Sequence, residues 1–389
     1  MNQLIIKKVS AYSYYFLMLF LPTSMLFANI SLVILFLSIL LKKEKKTSYN
    51  LVVLSLLIFF IYLVANSVFN ASFYVEKPHF IKVIPLIIIP YSIINIDNRT
   101  KKIGLMFLLA GILIIQLKAM YGIIDYYYFS DAKKYSLKNY ANVNAILRYE
   151  RPYLGYFSAI SIAIDYYFFK QKKAKFVFIF LSIFSFIVTV IIGARLAIII
   201  ILLVILIFEL KYFRKKTLIL LLSIMGLIFF FSAPNLKDRF FEIKNDARLI
   251  IWKGAYNIFG KEKNYWFGSG SLTKTREKLY IYYKEYNKYQ SIDEKNRFVS
   301  KNYNTHNQYI NELLRGGFFG LLLFIVPQFI LLFFSIKQQN TLYFIFLISI
   351  FCFCFVENIL ERQIGVYLYA ILLSFAGLQE NQYLKNSYD

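Results

Sequence analysis

The sequence predicts an all-α membrane protein, a polytopic bundle of about twelve spanning helices carrying one large outer-face loop that contains short helices. Three observations predict it. Hydrophobic residues make up 59% of the 389-residue chain and charged residues only 17%, a balance too apolar for the solvated surface of a soluble domain. Apolar runs of roughly 20 residues, the length that crosses a bilayer, recur along the chain. The basic residues, which give a formal net charge of +24, fall in short clusters between those runs. That distribution sets membrane topology, and it differs from the continuous basic face that binds nucleic acid, so no nucleic-acid partner is expected.

Taken in order, Lys7 and Lys8 precede an apolar run from Ala11 as in a signal peptide. No small-x-small cleavage site follows, so the segment reads as a retained anchor. Residues 11–41 are long for one span and short for two, with Pro22 and Asn29 near the middle, and a tight helical hairpin is expected. Further spans are expected at residues 51–70, 80–95, 103–124, 152–169, 176–192, 194–210 and 218–233. After a long polar interval come 318–336, 342–356 and 366–378. With the N-terminus cytoplasmic, the hairpin puts the clusters at 42–46, 99–102, 170–175 and 211–216 on the cytoplasmic side, as the positive-inside bias requires. A single first span would expel most of them. Cys352 and Cys354, two apart in an apolar helix, point roughly 200° apart and read as packing residues.

Three regions follow: helices at 1–233, a large outer loop at 234–315, and the last helices with a cytoplasmic tail at 316–389. A smaller outer loop occupies 125–151. The large loop far exceeds an ordinary connection, so function is sought there. Asp246 is expected to cap a helix from Ala247 to Phe259 that stops at Gly260. Arg248, Trp252 and Ala255 share one face of it, while Trp252, Tyr256 and Phe259 give an apolar side. The helix then lies at the membrane surface, with Arg248 either beside an anionic headgroup or simply solvated. In Phe267-Gly268-Ser269-Gly270 the two glycines permit a turn closed to other residues. The Lys- and Tyr-rich stretch from Leu272 to Gln290 reads as a solvated amphipathic helix or, alternatively, as an aromatic sugar contact.

The loop closes on Asn304-Thr305-His306-Asn307. Capping by Thr305 or Asn304 would put His306 in the first helical turn, where the positive helix end keeps the ring neutral. A structural role for His306 stands beside a catalytic one. Arg195 follows Gly193-Ala194 between two apolar helices, so it either meets an anion at the outer interface or snorkels to water. Glu357, Glu361 and Arg362 could pair with one another across a helical turn. Arg148 and Arg151, near a membrane end, are secondary candidates for an anion.

The order of these features resembles the O-antigen ligase and polymerase family. Arg195 opens a span, Arg248-x-x-x-Trp252 and Phe267-Gly268-Ser269-Gly270 follow in a large outer loop, and His306-Asn307 precedes a helix and Gly317-x-x-Gly320. Glu357-Asn358-x-x-Glu361-Arg362-Gln363-x-Gly365 is similar to the closing segment of some members. The resemblance covers the chain from about Arg195 onward; upstream it rests on hydropathy. It implies a multi-pass protein of the bacterial inner membrane, with both termini cytoplasmic and the site on the outer face. It further implies a glycosyltransferase moving a glycan from a polyprenyl diphosphate carrier to a hydroxyl of a glycan or lipid-core acceptor. On the matching positions, Arg195 and Arg248 would bind the diphosphate and His306 would activate the hydroxyl. Trp252, Asn307, Arg151, Glu357 and Arg362 are secondary site candidates.

No Asp-x-Asp motif or metal-spaced His/Cys cluster stands in the outer loop, so neither metal nor cofactor is expected. A ligase, which moves a finished glycan to a lipid core, is placed slightly ahead of a polymerase, which extends one carrier-linked glycan with another. A glycolipid or polysaccharide transporter is the reading from another class, although the chain has no internal halves.

Overall fold

The computed structural model describes residues 3–43, 51–129, 140–170, 175–212, 247–262 and 264–377. Every regular element among them is helical. The expected span at 218–233, the expected cap Asp246 and the basic residues at 44–46, 171–174 and 213–216 lie outside the described residues.

Helices α1 (Gln3–Thr23) and α2 (Met25–Leu40) are separated by Ser24 alone, whose extended backbone interrupts the helical ladder just after Pro22. The backbone N–H of Lys43 then reaches Gln3 Oε1 at 3.4 Å, so the two helices run back along each other as the expected hairpin. Helix α3 (Leu51–Phe69) matches its expected span. Helix α4 (Phe73–Val83) starts seven residues before the expected span at 80 and is followed directly by α5 (Pro85–Ile94). Together they make one apolar segment of 22 residues. The early start draws Glu76 and His79 into a helix.

Helix α6 (Asn98–Phe129) packs along α1, with Tyr15 stacked on Phe107 at 5.0 Å. A short α7 (Tyr140–Ile146) leads into α8 (Arg151–Lys170), α9 (Lys175–Ile192) and α10 (Arg195–Tyr212). Outside the bundle lie α11 (Ala247–Gly260), α12 (Leu272–Glu285) and α13 (Ile292–Lys301). They share a small core of Ile251, Leu279, Tyr283 and Phe298. The bundle resumes with α14 (Gln308–Lys337), α15 (Thr341–Cys354), a 3-10 turn (Ile359–Glu361) and α16 (Gln363–Leu373).

Among the described residues, six segments are long and apolar enough to cross a membrane, and four further apolar helices are shorter. Phe69 and Phe176 are each 88% exposed, an apolar surface that water would not stabilise and lipid does. The chain is a multi-pass membrane protein.

The two ends of the bundle differ. Lys42 Nζ donates to Asn95 O at 3.1 Å, which brings the basic residues at 42–43 and 99–102 to one end. Helix α1 runs from that end to the other, where Leu21 and Met25 line a cleft shared with Glu361 and Arg362.

Candidate functional site

The site is assembled around a broken helix. Within α14, Gly317 takes φ +62° and ψ −159°, a non-helical conformation that splits a short N-terminal piece from the apolar remainder. The break falls one residue before the expected span at 318. It leaves carbonyls and amides without intrahelical partners, which a buried helix end cannot tolerate. Residues 265–270 supply those partners. Ser269 N donates to Leu314 O at 2.9 Å and Gly270 N to Arg315 O at 2.8 Å, while Phe318 N donates to Tyr265 O at 3.0 Å and Phe319 N to Trp266 O at 3.2 Å. Gly268 and Gly270 hold φ of +64° and +72°, so the glycine pair does form the turn closed to other residues. A Cβ on Gly268 would stand 2.6 Å from Gly317 N. The glycine pair is therefore a clamp on a helix break, and Asn66 Nδ2 braces it by donating to Phe267 O at 2.9 Å.

His306 sits just outside the helix, contrary to the expected first turn. The cap of α14 is Asn307, whose side-chain oxygen accepts from Ile310 N at 3.0 Å. Asn304 and Thr305 are engaged elsewhere, and this is why neither caps. Asn304 Oδ1 accepts from His306 N at 3.2 Å, a local side-chain turn that competes with helix. The Thr305 hydroxyl lies 2.9 Å from Asn358 Oδ1, which also accepts from Asn307 N at 2.7 Å. His306 is left with φ +44°. A left-handed histidine is sterically costly and persists only where its surroundings enforce it.

Those surroundings come from the 357–362 segment. Asn358 Nδ2 donates to Glu361 Oε1 at 2.8 Å, and Asn304 Nδ2 donates to Glu361 Oε2 at 3.0 Å. Arg276 of α12 forms an ion pair with the same carboxylate. Gln308 Oε1 accepts from Leu360 N at 2.9 Å and its amide donates to Glu312 at 2.6 Å. Glu357, Glu361 and Arg362 therefore do not pair with one another as expected: Arg362 is bridged to Glu150, just before α8. The 3-10 turn at Ile359–Glu361 replaces the continuous helix that such pairing needs.

The Arg248-x-x-x-Trp252 spacing acts through geometry. One helical turn apart on α11, the two side chains reach the same neighbourhood. Trp252 Nε1 donates to Thr305 O at 3.0 Å, and Arg248 Nη2 approaches Val356 O at 3.5 Å. Arg248 is thus set beside the 304–307 turn and beside Glu357, which is 6% exposed. Burial pushes the Glu357 carboxyl up to about 7; Arg362 and Arg248 pull it down by less, and Glu150 and Glu361 add to the rise. The most deeply buried face of α11 is Ile251, Gly254 and Ala255; of the expected apolar side, Trp252 packs against the same small core, Phe259 meets Phe318 at 5.5 Å, and Tyr256 stays exposed. Ile251 joins the core formed with α12 and α13, and Gly254 lies against Tyr282 of α12. The Tyr-rich stretch is an amphipathic helix whose Tyr283 is buried in that core, its hydroxyl donating to Tyr303 O.

Arg195 opens α10 after Gly193 at φ +62°. The start of α8 fixes its place, since a Cβ on Gly155 would lie 2.5 Å from the Ala194 Cβ. Arg151 begins that same helix, its N–H bound by Asn144 Oδ1 at 3.0 Å. Tyr153 and Tyr156 of α8 pack on Phe353 near the end of α15, so Arg195, Arg151 and Arg248 collect at one end of the bundle with His306. Arg148 is paired with Asp125 at 2.8 Å.

An arginine-bearing helix beside a strained histidine turn, closed by a glycine clamp, occurs here in the order the resemblance requires. Residues 176–325 match the family model described as O-antigen ligase. This region is similar to the O-antigen ligase family. The match runs from α9 into α14 and so contains Arg195, Arg248, the glycine clamp and His306. The family is one of membrane enzymes of ligase and polymerase type. No curated protein matches the chain.

The matched region leans on residues that local sequence patterns do not single out. Arg315, 1% exposed, lies 3.0 Å from His79 Nε2 and 3.6 Å from Glu76 Oε2. Glu76 Oε1 in turn accepts from the Ser271 hydroxyl at 2.8 Å and from Thr273 N at 3.2 Å. The signal that could have found them is the pair Glu76 and His79, three apart beside an apolar run, where ionisable groups need partners.

Proposed function

We propose that the protein transfers a glycan from a polyprenyl diphosphate carrier to a hydroxyl of an acceptor glycan or lipid core, at the outer face of the bacterial inner membrane. The observation that carries this reading is the Trp252 to Thr305 hydrogen bond, which sets the Arg248 helix against the His306 turn. In this reading Arg195 and Arg248 bind the diphosphate through several charged donors and stabilise charge that grows on the leaving oxygen. His306 takes the proton of the acceptor hydroxyl as that oxygen attacks the anomeric carbon and the bond to the carrier phosphate breaks. Direct attack inverts the anomeric configuration. Arg151 is a secondary donor-side cation, and Glu357 tunes Arg248. Trp252 and Asn307 position the turn. The about twelve spans with both termini cytoplasmic, and the partition at 1–233, 234–315 and 316–389, belong to the same proposal.

A ligase is favoured over a polymerase. The test is reconstitution of the purified protein with a polyprenyl-diphosphate glycan and candidate acceptors, without nucleotide or added metal. Loss of transfer in His306→Ala with donor still bound, and loss of donor binding in Arg248→Ala, supports the reading. A lipid-core product identifies a ligase and a lengthened carrier-linked chain a polymerase. Movement of glycolipid across the bilayer without transfer would establish a transporter instead.

A further inference from the structure

A cleft of about 450 Å³ opens beside the His306 turn, between the α1/α2 break and the 361–364 segment. Its size is that of a small-ligand site. Two carboxylates, Glu150 and Glu361, and two cations, Lys82 and Arg362, line it, so its formal charge balances to zero. An anion site would carry a cationic surplus. Tyr149 and Tyr153 also line the cleft, and the hydroxyl of each is buried without a hydrogen-bond partner. A buried phenol left unpaired costs free energy unless something arrives to satisfy it. Tyr153 is 1% exposed, so its ring is held in place. The rest of the wall is apolar, from Leu21, Met25 and Ile364.

Balanced charges, carboxylate acceptors, unpaired phenols and an apolar wall are complementary to an uncharged polyhydroxylated ring. Such a ring presents both donors and acceptors at its edge and C–H groups on its faces. We infer that this cleft holds a neutral sugar residue of the acceptor, an assignment that rests on the transferase reading above. Glu361 links cleft to turn: it lines the cleft, it accepts from Asn304 at 3.0 Å, and Asn304 Oδ1 holds His306 N at 3.2 Å. From Glu361, where the sugar sits, two hydrogen bonds lead to the His306 backbone, and Trp252 of the Arg248 helix bonds Thr305 in the same turn.

The experiment uses the full chain in detergent and in nanodiscs, with saturation-transfer NMR at millimolar maltotetraose, a diglucosyl diacylglycerol in the nanodisc, O-phosphoethanolamine and inorganic pyrophosphate as probes. Signal from maltotetraose means the cleft takes free glycan, and signal from the glycolipid alone means the sugar must arrive on lipid; either supports the inference. In Tyr149→Phe/Tyr153→Phe and in Ile364→Trp, which fills the cleft, the sugar signal is expected to fall at least fivefold with pyrophosphate binding unchanged. Sugar signal that survives both variants, or capture of phosphoethanolamine or pyrophosphate there instead, overturns it. Sugar binding lost in the cleft variants while no donor is ever transferred would leave the cleft standing and sink the transferase reading, so the two failures are distinguishable.

Discussion

Arg315 and His79 meet at 3.0 Å, guanidinium Nη1 to imidazole Nε2, tying the N-terminal piece of α14 to α4. An arginine only donates, so Nε2 carries the lone pair and His79 holds its proton on Nδ1. Glu76, 2% exposed, completes the group at 3.6 Å. Replacing Arg315 by Leu strands a buried carboxylate, and removal of one partner from such a pair costs roughly 3–5 kcal/mol. Arg315→Leu is expected to lower the thermal midpoint in detergent sharply, and Glu76→Gln in the same chain to restore much of it. No recovery in the double variant would show that the two charges are not coupled.

The glycine clamp makes a second prediction. Gly268→Ala forces a side chain into φ +64° and places its Cβ 2.6 Å from Gly317 N and 2.7 Å from Leu314 O. Left-handed backbone in a non-glycine residue costs on the order of 1–3 kcal/mol, and the clash adds to it. Gly260, the last residue of α11, has open space for 4 Å around the point where a Cβ would stand, and Gly260→Ala is expected to change stability by less than about 1 kcal/mol. Thermal unfolding of the two variants side by side checks the contrast.

Trp252→Phe keeps an aromatic ring and removes the N–H that satisfies Thr305 O at 3.0 Å. Leaving that carbonyl short of a partner costs about 1–3 kcal/mol, and the loss falls on the turn that carries His306. Transfer is expected to slow by at least tenfold with insertion and donor affinity little changed. An unaltered rate would separate Trp252 from the chemistry.

Much of this arrangement is legible in the residues alone. The hairpin at residues 11–41 follows from charge bookkeeping around Pro22, and the glycine turn from residue type. Arg248 and Trp252 are placed by the helical period. Long-range polar partners are what local pattern cannot deliver. The cap of α14 goes to Asn307 because Asn358, 51 residues later, occupies Thr305. Glu150 takes Arg362 across 212 residues, against the nearer Glu357 and Glu361. Local spacing ranks neighbours by distance along the chain, whereas the fold ranks them by which groups are already engaged, as Glu361 is by Arg276, Asn304 and Asn358.

Glu357 gives the pH prediction. Its carboxyl titrates near 7 because burial outweighs the pull of Arg362 and Arg248. The folded chain thus holds this proton more tightly than the unfolded chain, whose carboxyl lies near its ordinary 4.5. The stabilisation is complete below about pH 4.5 and is lost as pH rises towards 7, a change of roughly 3 kcal/mol, with no further loss above. Glu357→Gln is expected to flatten that slope in thermal unfolding between pH 5 and 8. For binding, the charge that appears above pH 7 sits beside Arg248 and competes with a diphosphate for it. The donor KM is therefore expected to rise between pH 6 and 8 in the native protein and to stay level in Glu357→Gln. A profile that is the same in both proteins would remove Glu357 from the donor site and leave it a buried structural acid.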